Sequence, residues 1–375
     1  MKFQGAVSIA LRIREQARLS ITQPLSRPVS SNDDAYLADA GERKLGWRQV
    51  RRAIYFKLSG QEKYCHPYIL PTWKRGLWLY KGIPQIGDAL MDLAPRSLLT
   101  LNGLTIDLYT HSHIADMFNS DPWFKKVLHD PAAVQSDNYD FVIVPSFKRR
   151  SLKDKITLLP KMPWISVQGF YTGPEFHRGE FATQRLLDAL RKDVSASDFS
   201  HHSIQKLVAL DCRKKYIGSV IKLVFALGGV APLRTYERWI EVANELDRHA
   251  PLEITLIGSQ NGFDAAKSFE RQWKGLVYNR VAKTSLSECR KIIAEQHVMV
   301  ASDGGLMHLG LTTNTEVISL FTSTVDPHWR LPIERLDTAL QSSNIEVNAI
   351  DPVDIARKVV QIRLENLEKS AFVQH

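Results

Sequence analysis

The feature that most constrains the fold of this chain is the alternation of short apolar runs with segments of helical periodicity. Apolar runs at 76–81, 104–109 and 139–144 are each followed by a helical segment or a basic turn. A second series of the same kind begins at residue 220 and continues to residue 321. Strands that alternate with helices form parallel sheets covered on both faces. The sequence therefore predicts two α/β domains.

Domain limits follow from this pattern and from the length of 375 residues, which suits two domains. We expect a basic N-terminal extension over 1–75, a first Rossmann-like domain over 76–200 and a second over 201–345. Residues 346–375 are expected to contain a long helix that crosses back towards the first domain.

Composition is typical of a globular protein without a membrane span. Hydrophobic residues make up 44% and charged residues 24% of the chain, and no apolar run reaches the roughly 18 residues of a span. The three cysteines lie far apart without CxxC spacing, so neither a disulfide framework nor a zinc or iron site is expected. Arginines at 12, 14 and 18 follow the N-terminal apolar patch, which is not the pattern of an export signal. We expect a cytoplasmic protein.

Positive charge is concentrated at the N-terminus. Residues 1–80 contain 14 Lys and Arg against 6 Asp and Glu, a net +8 of the +9 carried by the whole chain. Such a segment suits attraction to an anionic surface, whether phospholipid headgroups, phosphorylated glycolipid or nucleic acid. A solvated and partly flexible extension is the alternative. Residues 20–50, rich in proline, serine and charge, are interpreted as a loop or linker.

A strand followed by two glycines and a helix is the first candidate binding motif. The strand 298–302 continues into Asp303-Gly304-Gly305, and His308 lies in the helix that follows. Paired glycines let a phosphate approach the backbone, and a helix N-terminus offers free N–H groups and a positive dipole end. Taken alone, the motif is also consistent with an ordinary tight turn and a packed histidine.

A second glycine loop gives this motif a context. Gly228-Gly229 follows another strand, and Arg234 lies where its guanidinium can meet a diphosphate bidentately. Loops at the carboxyl ends of strands in one parallel sheet border the same crevice. The two loops therefore predict a pyrophosphate clamp.

These motifs, in this order, resemble glycosyltransferase family 9, the heptosyltransferases of lipopolysaccharide assembly. The family carries a G-D turn after its first strand, a glycine loop with a basic residue, a K-T-S-L segment, and D-[ST]-G-x-x-H-L-A followed by F-G-P-T. The corresponding segments are Gly87-Asp88, Gly228-Gly229 with Arg234, Lys283 to Leu286, Asp303 to Gly310, and Phe321 to Thr324. The resemblance covers roughly residues 76–335. It implies an α/β fold of GT-B type, in which two Rossmann-like domains with parallel sheets face a central cleft.

The resemblance implies that Asp88 is the catalytic base, because an inverting transfer needs one carboxylate to take the proton of the acceptor hydroxyl. Capping of its own helix is the alternative role for Asp88. The resemblance also implies a nucleotide-sugar donor, ADP-heptose, bound by Gly228, Gly229, Arg234, Lys283, Thr284, Asp303, Gly304, Gly305, His308 and Thr324. Because the chain has no D-x-D triplet, we expect catalysis without a metal and no cofactor besides the co-substrate.

For the acceptor, the resemblance and the charge pattern favour an anionic glycolipid. Candidate acceptor-binding residues are Lys148, Arg149 and Arg150, after the third apolar run, and His177, at the start of a helix. The basic leading segment would hold the protein peripherally at the inner face of the bacterial inner membrane, with Phe3, Val7 and Leu11 as an interfacial edge.

Several alternatives stay open, because the sequence departs from the family pattern. Arg234 replaces a lysine, Gly310 an alanine, and Ser259-Gln-Asn-Gly262 stands where a glutamate commonly contacts the nucleoside. A transferase that uses another nucleotide sugar or a protein acceptor, an epimerase on the same architecture, and a non-catalytic nucleotide-binding protein are the alternatives. No RNA-binding signature is present, so a nucleic-acid partner is not expected.

Overall fold

The computed structural model describes residues 2–31, 33–210 and 219–372. The chain divides into two compact units, Met1–Gln205 and Lys206–His375, close to the expected boundary at residue 200. Residues 1–75, predicted as an extension, belong to the first unit. Cys212 lies outside the described residues, as do the side chains of Phe3 and Val7.

The first unit contains a five-stranded parallel sheet with the order β3-β2-β1-β4-β5. The strands are β1 (Arg75–Tyr80), β2 (Thr105–Thr110), β3 (Val127–Leu128), β4 (Phe141–Val144) and β5 (Trp164–Ser166). Trp78 and Trp164 are fully buried, as expected of core residues. Burial along both faces of these strands explains why they appear as continuous apolar runs in the sequence.

Three helices precede this sheet: α1 (Lys2–Leu19), α2 (Asp33–Ala40) and α3 (Glu42–Leu58). The interpretation of residues 20–50 as a loop or linker is wrong from Asp33 onwards, where helix begins. Helices α1 and α3 cross at Gly46, where a Cβ atom would lie 2.3 Å from the carbonyl oxygen of Ile13. Only glycine permits this approach.

The remaining helices of the first unit connect or follow its strands. They are α4 (Ile86–Asp92), α5 (Arg96–Leu101), α6 (Ser112–Phe118), α7 (Arg149–Leu158), α8 (Arg178–Leu190) and α9 (Ala196–Ser203). Because β1 is flanked by β2 on one side and β4 on the other, the chain reverses its winding direction between β1 and β4. Ligands of open α/β sheets bind outside the carboxyl ends of the strands at such a switch point.

The second unit contains a six-stranded parallel sheet with the order β11-β10-β9-β6-β7-β8. Its strands are β6 (Ile221–Ala226), β7 (Leu252–Ile257), β8 (Leu276–Asn279), β9 (Val298–Ser302), β10 (Glu316–Phe321) and β11 (Ala339–Gln341). Its helices are α10 (Trp239–Asp247), α11 (Phe263–Gln272), α12 (Leu286–Ala294), α13 (Gly305–Gly310) and α14 (Pro352–Phe372). The switch point lies between β6 and β9.

The predicted class, two Rossmann-like α/β units with parallel sheets, is confirmed. Ile355, Val359 and Ile362 of α14 are buried in the core of the second unit. That this helix also reaches the first domain, and that the two sheets face a cleft, stay predictions. None of the described helices is long and apolar enough to cross a membrane.

A buried ion pair in the first unit gives a stability prediction. Arg96 and Asp121 are each 1% exposed in their side chains, and Arg96 Nε lies 3.0 Å from an Asp121 oxygen. We expect Asp121→Ala to lower the free energy of unfolding by about 3–5 kcal/mol in urea denaturation, because it leaves a buried cation without its carboxylate. Asp193→Ala removes an exposed partner of Arg27 and is expected to cost less than about 1 kcal/mol. Equal losses in the two variants would contradict this account.

Candidate active site

Asp88 lies at the switch point of the first sheet. Strand β1 ends at Tyr80, a loop follows, and α4 begins at Ile86, so Asp88 falls in the first helical turn. The cap position is occupied by Gln85, and no side-chain hydrogen bond caps the helix. The alternative role of Asp88 as a helix cap is therefore not what the structure shows. Its carboxylate instead benefits from the positive end of the helix dipole.

Arg178 connects Asp88 to a buried polar cluster. Its Nε lies 3.6 Å from Asp88 Oδ1 and donates a hydrogen bond of 3.0 Å to Asp92 Oδ1. Its Nη2 also pairs with Asp92, whose other oxygen accepts a hydrogen bond of 2.7 Å from the Tyr80 hydroxyl. Asp92 therefore has defined partners on both of its oxygens. This arrangement fixes the Arg178 guanidinium beside Asp88.

The electrostatics of the cluster favour a charged Arg178. Although burial opposes protonation, the carboxylates of Asp92 and Asp88 raise the pKa of Arg178 above its ordinary value. Burial raises the pKa of Tyr80, and the neighbouring Asp92 raises it further, so the phenol stays protonated and donates. The Asp88 side chain is 33% exposed, whereas that of Asp92 is 5% exposed. Of the two carboxylates, only Asp88 is open to a substrate.

The basic residues predicted for the acceptor lie next to this cluster. Lys148 is the cap residue of α7, and Arg149 and Arg150 form its first turn, directly after β4. A Cβ atom on Gly82, in the loop before α4, would lie 2.9 Å from the Arg150 carbonyl oxygen, so this loop touches the first turn of α7. Burial, together with neighbouring arginines, lowers the pKa of Lys148 to about 8. The half-buried Lys148 thus lies among cations.

His177 is positioned by the backbone of α8. It occupies the cap position, and its Nδ1 accepts a hydrogen bond of 3.1 Å from the Glu180 amide. The ring thereby has a structural role at the helix start, directly before Arg178. The predicted acceptor-binding role of His177 stays a prediction.

In the second unit, the glycine loop after β6 packs tightly against the loop after β7. Gly228 has a φ of +84°, and a Cβ atom there would lie 2.7 Å from the Gly262 amide nitrogen. The Asn261 side chain donates a hydrogen bond of 2.8 Å to the Gly229 carbonyl. Both a positive φ and a close backbone approach require glycine at 228.

Asp303 joins this loop to the one after β9. Arg234 Nη1 lies 3.2 Å from Asp303 Oδ2, and Arg330 Nε lies 3.6 Å from Asp303 Oδ1. The Asp303 side chain is 3% exposed, whereas that of Arg234 is 46% exposed. One buried carboxylate therefore orients two guanidiniums at the switch point between β6 and β9. Two such cations can together neutralise a diphosphate.

The remaining predicted residues of this loop continue into α13. Gly304 caps the helix in an extended conformation, Gly305 begins it, and His308 is buried. Asp303, which pairs with Arg234 and Arg330, lies one residue before the cap of this short helix, whose first-turn N–H groups have no partner within the helix. The structure thus brings together seven of the predicted donor residues: Gly228, Gly229, Arg234, Asp303, Gly304, Gly305 and His308.

Three predicted donor residues lie elsewhere in the second unit. Lys283 Nζ donates a hydrogen bond of 3.1 Å to the Asn279 carbonyl, after the edge strand β8. The Thr284 hydroxyl bonds to the Arg280 carbonyl at 3.3 Å and lies 3.0 Å from Cys289 Sγ. Thr324 follows β10 and contacts the Thr322 hydroxyl at 2.9 Å. Their contact with a donor stays a prediction.

Sequence reasoning missed Arg330, Arg178 and Asp92 as site residues. Arg330 follows a 3-10 turn at Pro327–Trp329 and belongs to no motif, so no signal points to it. Arg178 directly follows the predicted His177 and lies immediately before the helix expected there, which is a weak signal. Among the residues that the structure describes, no group of three His, Cys, Asp or Glu side chains could hold a metal ion.

Comparison with protein families gives a match that includes most of the second unit. The family model of glycosyltransferase family 9 (heptosyltransferase) matches residues 196–358. No curated protein matches the chain. The predicted resemblance to this family is confirmed over that range, and it includes both loops that meet at Asp303.

Solved structures similar to this chain include three of the same architecture. ADP-heptose lps heptosyltransferase II of E. coli has a TM-score of 0.60 at 14% identity, covering 78% of this chain and 99% of that one. A glycosyl transferase family 9 protein of Veillonella parvula has a TM-score of 0.60 at 12% identity, with coverage of 80% and 100%. E. coli heptosyltransferase WaaC with ADP has a TM-score of 0.56 at 15% identity, with coverage of 77% and 99%. At these identities the likeness establishes the fold.

Arg234 supplies a test of the second-unit site. We expect Arg234→Ala to weaken ADP binding about 10- to 100-fold in isothermal titration calorimetry, because a charge-assisted hydrogen bond is worth about 1.5–3 kcal/mol. Arg238→Ala is the matched control, since Arg238 pairs with Glu241 on the neighbouring helix and leaves the glycine loop intact. Unchanged ADP affinity in Arg234→Ala would rule out this residue as a diphosphate ligand.

Proposed function

We propose that the protein moves a heptose from ADP-heptose to an anionic glycolipid of the lipopolysaccharide core, because residues 196–358 match the model of glycosyltransferase family 9 (heptosyltransferase). The reaction inverts the anomeric carbon and needs no metal ion. One observation carries this proposal: each sheet has a polar group suited to one half of the reaction at its own switch point. These are Asp88 with Arg178 in the first unit and Asp303 with two arginines in the second.

The second unit binds the donor diphosphate in this proposal. Arg234 and Arg330 are held by Asp303, and the first turn of α13 adds backbone N–H groups. As the bond between the sugar and the diphosphate breaks, the leaving ADP gains negative charge. Fixed cations and amide groups stabilise that charge without reorganising, so they can perform the role of a metal ion. Catalysis in the presence of a chelator is the expected consequence.

The first unit binds the acceptor and removes its proton. The acceptor hydroxyl attacks the anomeric carbon while its proton passes to a carboxylate oxygen of Asp88, and ADP leaves from the opposite face. A new carbon–oxygen bond replaces the one to the phosphate, so a single displacement inverts the configuration. Lys148, Arg149 and Arg150, at the adjoining loop, attract the anionic acceptor.

Arg178 acts as a positioning residue for Asp88. Its guanidinium is anchored by Asp92 and orients the Asp88 carboxylate beside it. Asp88 still has an exposed edge for the acceptor hydroxyl. The Asp88 carboxylate is therefore already oriented when the acceptor binds.

The location proposed for this reaction is the inner face of the bacterial inner membrane. The acceptor glycolipid is anchored there, and residues 1–80 carry a net charge of +8 from 14 basic and 6 acidic residues. A polybasic segment is attracted to anionic lipid headgroups by about 1 kcal/mol per residue near the surface. The protein would thus bind peripherally, with Leu11, a 55% exposed residue of α1, among the contacts.

A second candidate function uses the same chemistry with another nucleotide. The loop after β7 contains Ser259, Gln260 and Asn261, and Asn261 is occupied by its bonds to Gly229 and Ser259. The nucleoside would therefore meet a surface without a carboxylate in this loop. Comparing the thermal stabilisation by ADP-, GDP- and UDP-sugars separates the two candidates, since a ligand that binds only the native state raises stability.

Asp88 gives the most specific catalytic prediction. We expect Asp88→Asn to lower kcat for transfer by about 10²- to 10⁴-fold while ADP affinity stays within about twofold, because the amide keeps the shape but cannot take the proton. Asp116→Asn, which changes an exposed aspartate on α6, is the matched control and should retain activity. Turnover near the wild-type rate in Asp88→Asn would exclude Asp88 as the base.

Metal independence is tested by chelation. We expect the initial rate of heptose transfer to stay the same in excess EDTA, because Arg234 and Arg330 compensate the leaving charge. The rate would be followed by ADP release. Loss of activity that Mn²⁺ or Mg²⁺ restores would overturn this part of the proposal.

A further inference from the structure

Helix α3 is packed onto the carboxyl end of β4 by aromatic contacts. The ring of Phe56 stacks on that of Phe147, with centroids 4.6 Å apart, and Phe147 directly precedes Lys148. The Arg149 guanidinium lies over the ring of Tyr55 at 5.6 Å. Phe56 is buried and also packs edge-on against Trp164. The last two turns of α3 are therefore fixed beside the start of α7.

This packing brings Arg52 of α3 next to the basic start of α7, and Arg48 lies one turn before Arg52. Residues 48, 52 and 56 are spaced by four, so they follow one another along one side of the helix. Arg52 is half-buried, and its pKa is lowered by burial and then by Arg48. Lys148 is affected by burial first and then by Arg52 and Arg150. Arg48, Arg52, Lys148 and Arg150 are called the α3–α7 cation cluster below.

The four cations have no carboxylate partner within salt-bridge distance among the described residues. The two nearby carboxylates, Asp88 and Asp92, are both engaged by Arg178. The Gln49 side chain, on the same face of α3, is 1% exposed, and neither its oxygen nor its nitrogen has a hydrogen-bond partner in the described chain. Crowded like charges repel one another and leave a local excess of positive potential.

We propose that the α3–α7 cation cluster binds a phosphomonoester of the acceptor next to Asp88. The inference rests on the proposed function, which it deepens by assigning the chemical class of the group that positions the acceptor. Helix α3 thereby becomes part of the acceptor site, in addition to any contribution of the N-terminal segment to membrane association.

The chemistry of the cluster favours a phosphomonoester over a lone carboxylate. Three guanidiniums and one ammonium can compensate more than one negative charge, and a phosphomonoester carries nearly two at neutral pH. The planar donor fork of arginine matches phosphate oxygens bidentately, and the lysine adds a point charge. Binding would also relieve the repulsion within the cluster. Because the cluster lies beside the proposed base Asp88, a phosphomonoester bound there would bring a neighbouring hydroxyl of the acceptor close to the Asp88 carboxylate.

The test compares two double variants of α3 that lose the same charge. Arg48→Gln with Arg52→Gln removes the cluster side of the helix. Arg43→Gln with Lys57→Gln is the matched control, because both residues are exposed and lie on the opposite side of the helix from Arg52. Inorganic phosphate is titrated into each full-length protein at constant ionic strength, and the melting temperature is followed. Since the second unit is identical in all variants, a difference between them reports the first unit.

We expect the half-saturating phosphate concentration to rise at least about tenfold in the Arg48/Arg52 variant and to stay near the wild-type value in the Arg43/Lys57 variant. Without phosphate, the Arg48/Arg52 variant should melt no lower than the wild type, because the substitution relieves repulsion. Equal phosphate binding by the two variants would overturn the proposal. If the Arg48/Arg52 variant does not fold, Arg52→Lys takes its place, and we expect a smaller increase in its half-saturating phosphate concentration. Phosphate binding at the wild-type level by Arg52→Gln alone would also contradict the proposal.

Two further arms separate the possible sources of phosphate. In the first arm, the KM for the glycolipid acceptor is measured before and after phosphatase treatment of the acceptor. This KM should rise on dephosphorylation for the wild type and should not change for the Arg48/Arg52 variant. Binding to phosphatidylglycerol vesicles should decrease equally in both double variants. A selective loss of vesicle binding in the Arg48/Arg52 variant, with unchanged phosphate binding, would assign the cluster to the membrane and overturn the proposal. The phosphate titration does not depend on heptose transfer. A protein that binds phosphate at the cluster but transfers no heptose would therefore contradict the proposed function and not the proposed phosphate site.

Discussion

The pairing of parallel strands at the two switch points is the constraint on which the rest of the structure depends. In the second sheet, β6 pairs with β9, so the loops that follow them emerge side by side although they are distant in sequence. In the first sheet, the pairing of β1 with β4 brings the loop that precedes the helix of Asp88 against the start of α7. Backbone hydrogen bonds between strands thus determine which polar residues can cooperate.

Each switch point contains a carboxylate that is partnered by arginine, but the two pairs serve different purposes. Asp303 is buried and holds two guanidiniums, so it acts as an anchor for cations. Asp88 is partly exposed, and Arg178 beside it is held by the buried Asp92 and not by Asp88 alone. The same pairing of residue types therefore produces two anchored guanidiniums in one unit and an accessible carboxylate in the other. Burial decides between the two outcomes.

The sequence predicts the elements whose patterns are set locally. Strands β1, β2, β6, β7, β9 and β10 appear as apolar runs because both of their faces are buried. Helix α3 is not apparent, because its buried residues include Gly46 and Gln49, which interrupt apolar periodicity. Arg330 could not be predicted, since its approach to Asp303 depends on how the chain after β10 folds back. The glycine loops can be predicted, because a positive φ or a close backbone approach requires glycine and the residue itself is visible in the sequence.

The proposed reaction is a single displacement in which one carboxylate, Asp88, takes the proton of the acceptor. Helix α3, packed on Phe147, would complete the acceptor side of this arrangement with charges that neither glycine loop supplies. The anomeric configuration of the product distinguishes a single displacement from a double one. Nuclear magnetic resonance of the glycolipid formed from ADP-heptose should show a configuration at the transferred sugar opposite to that of the donor. Retention of the donor configuration would require two successive displacements and would contradict the account.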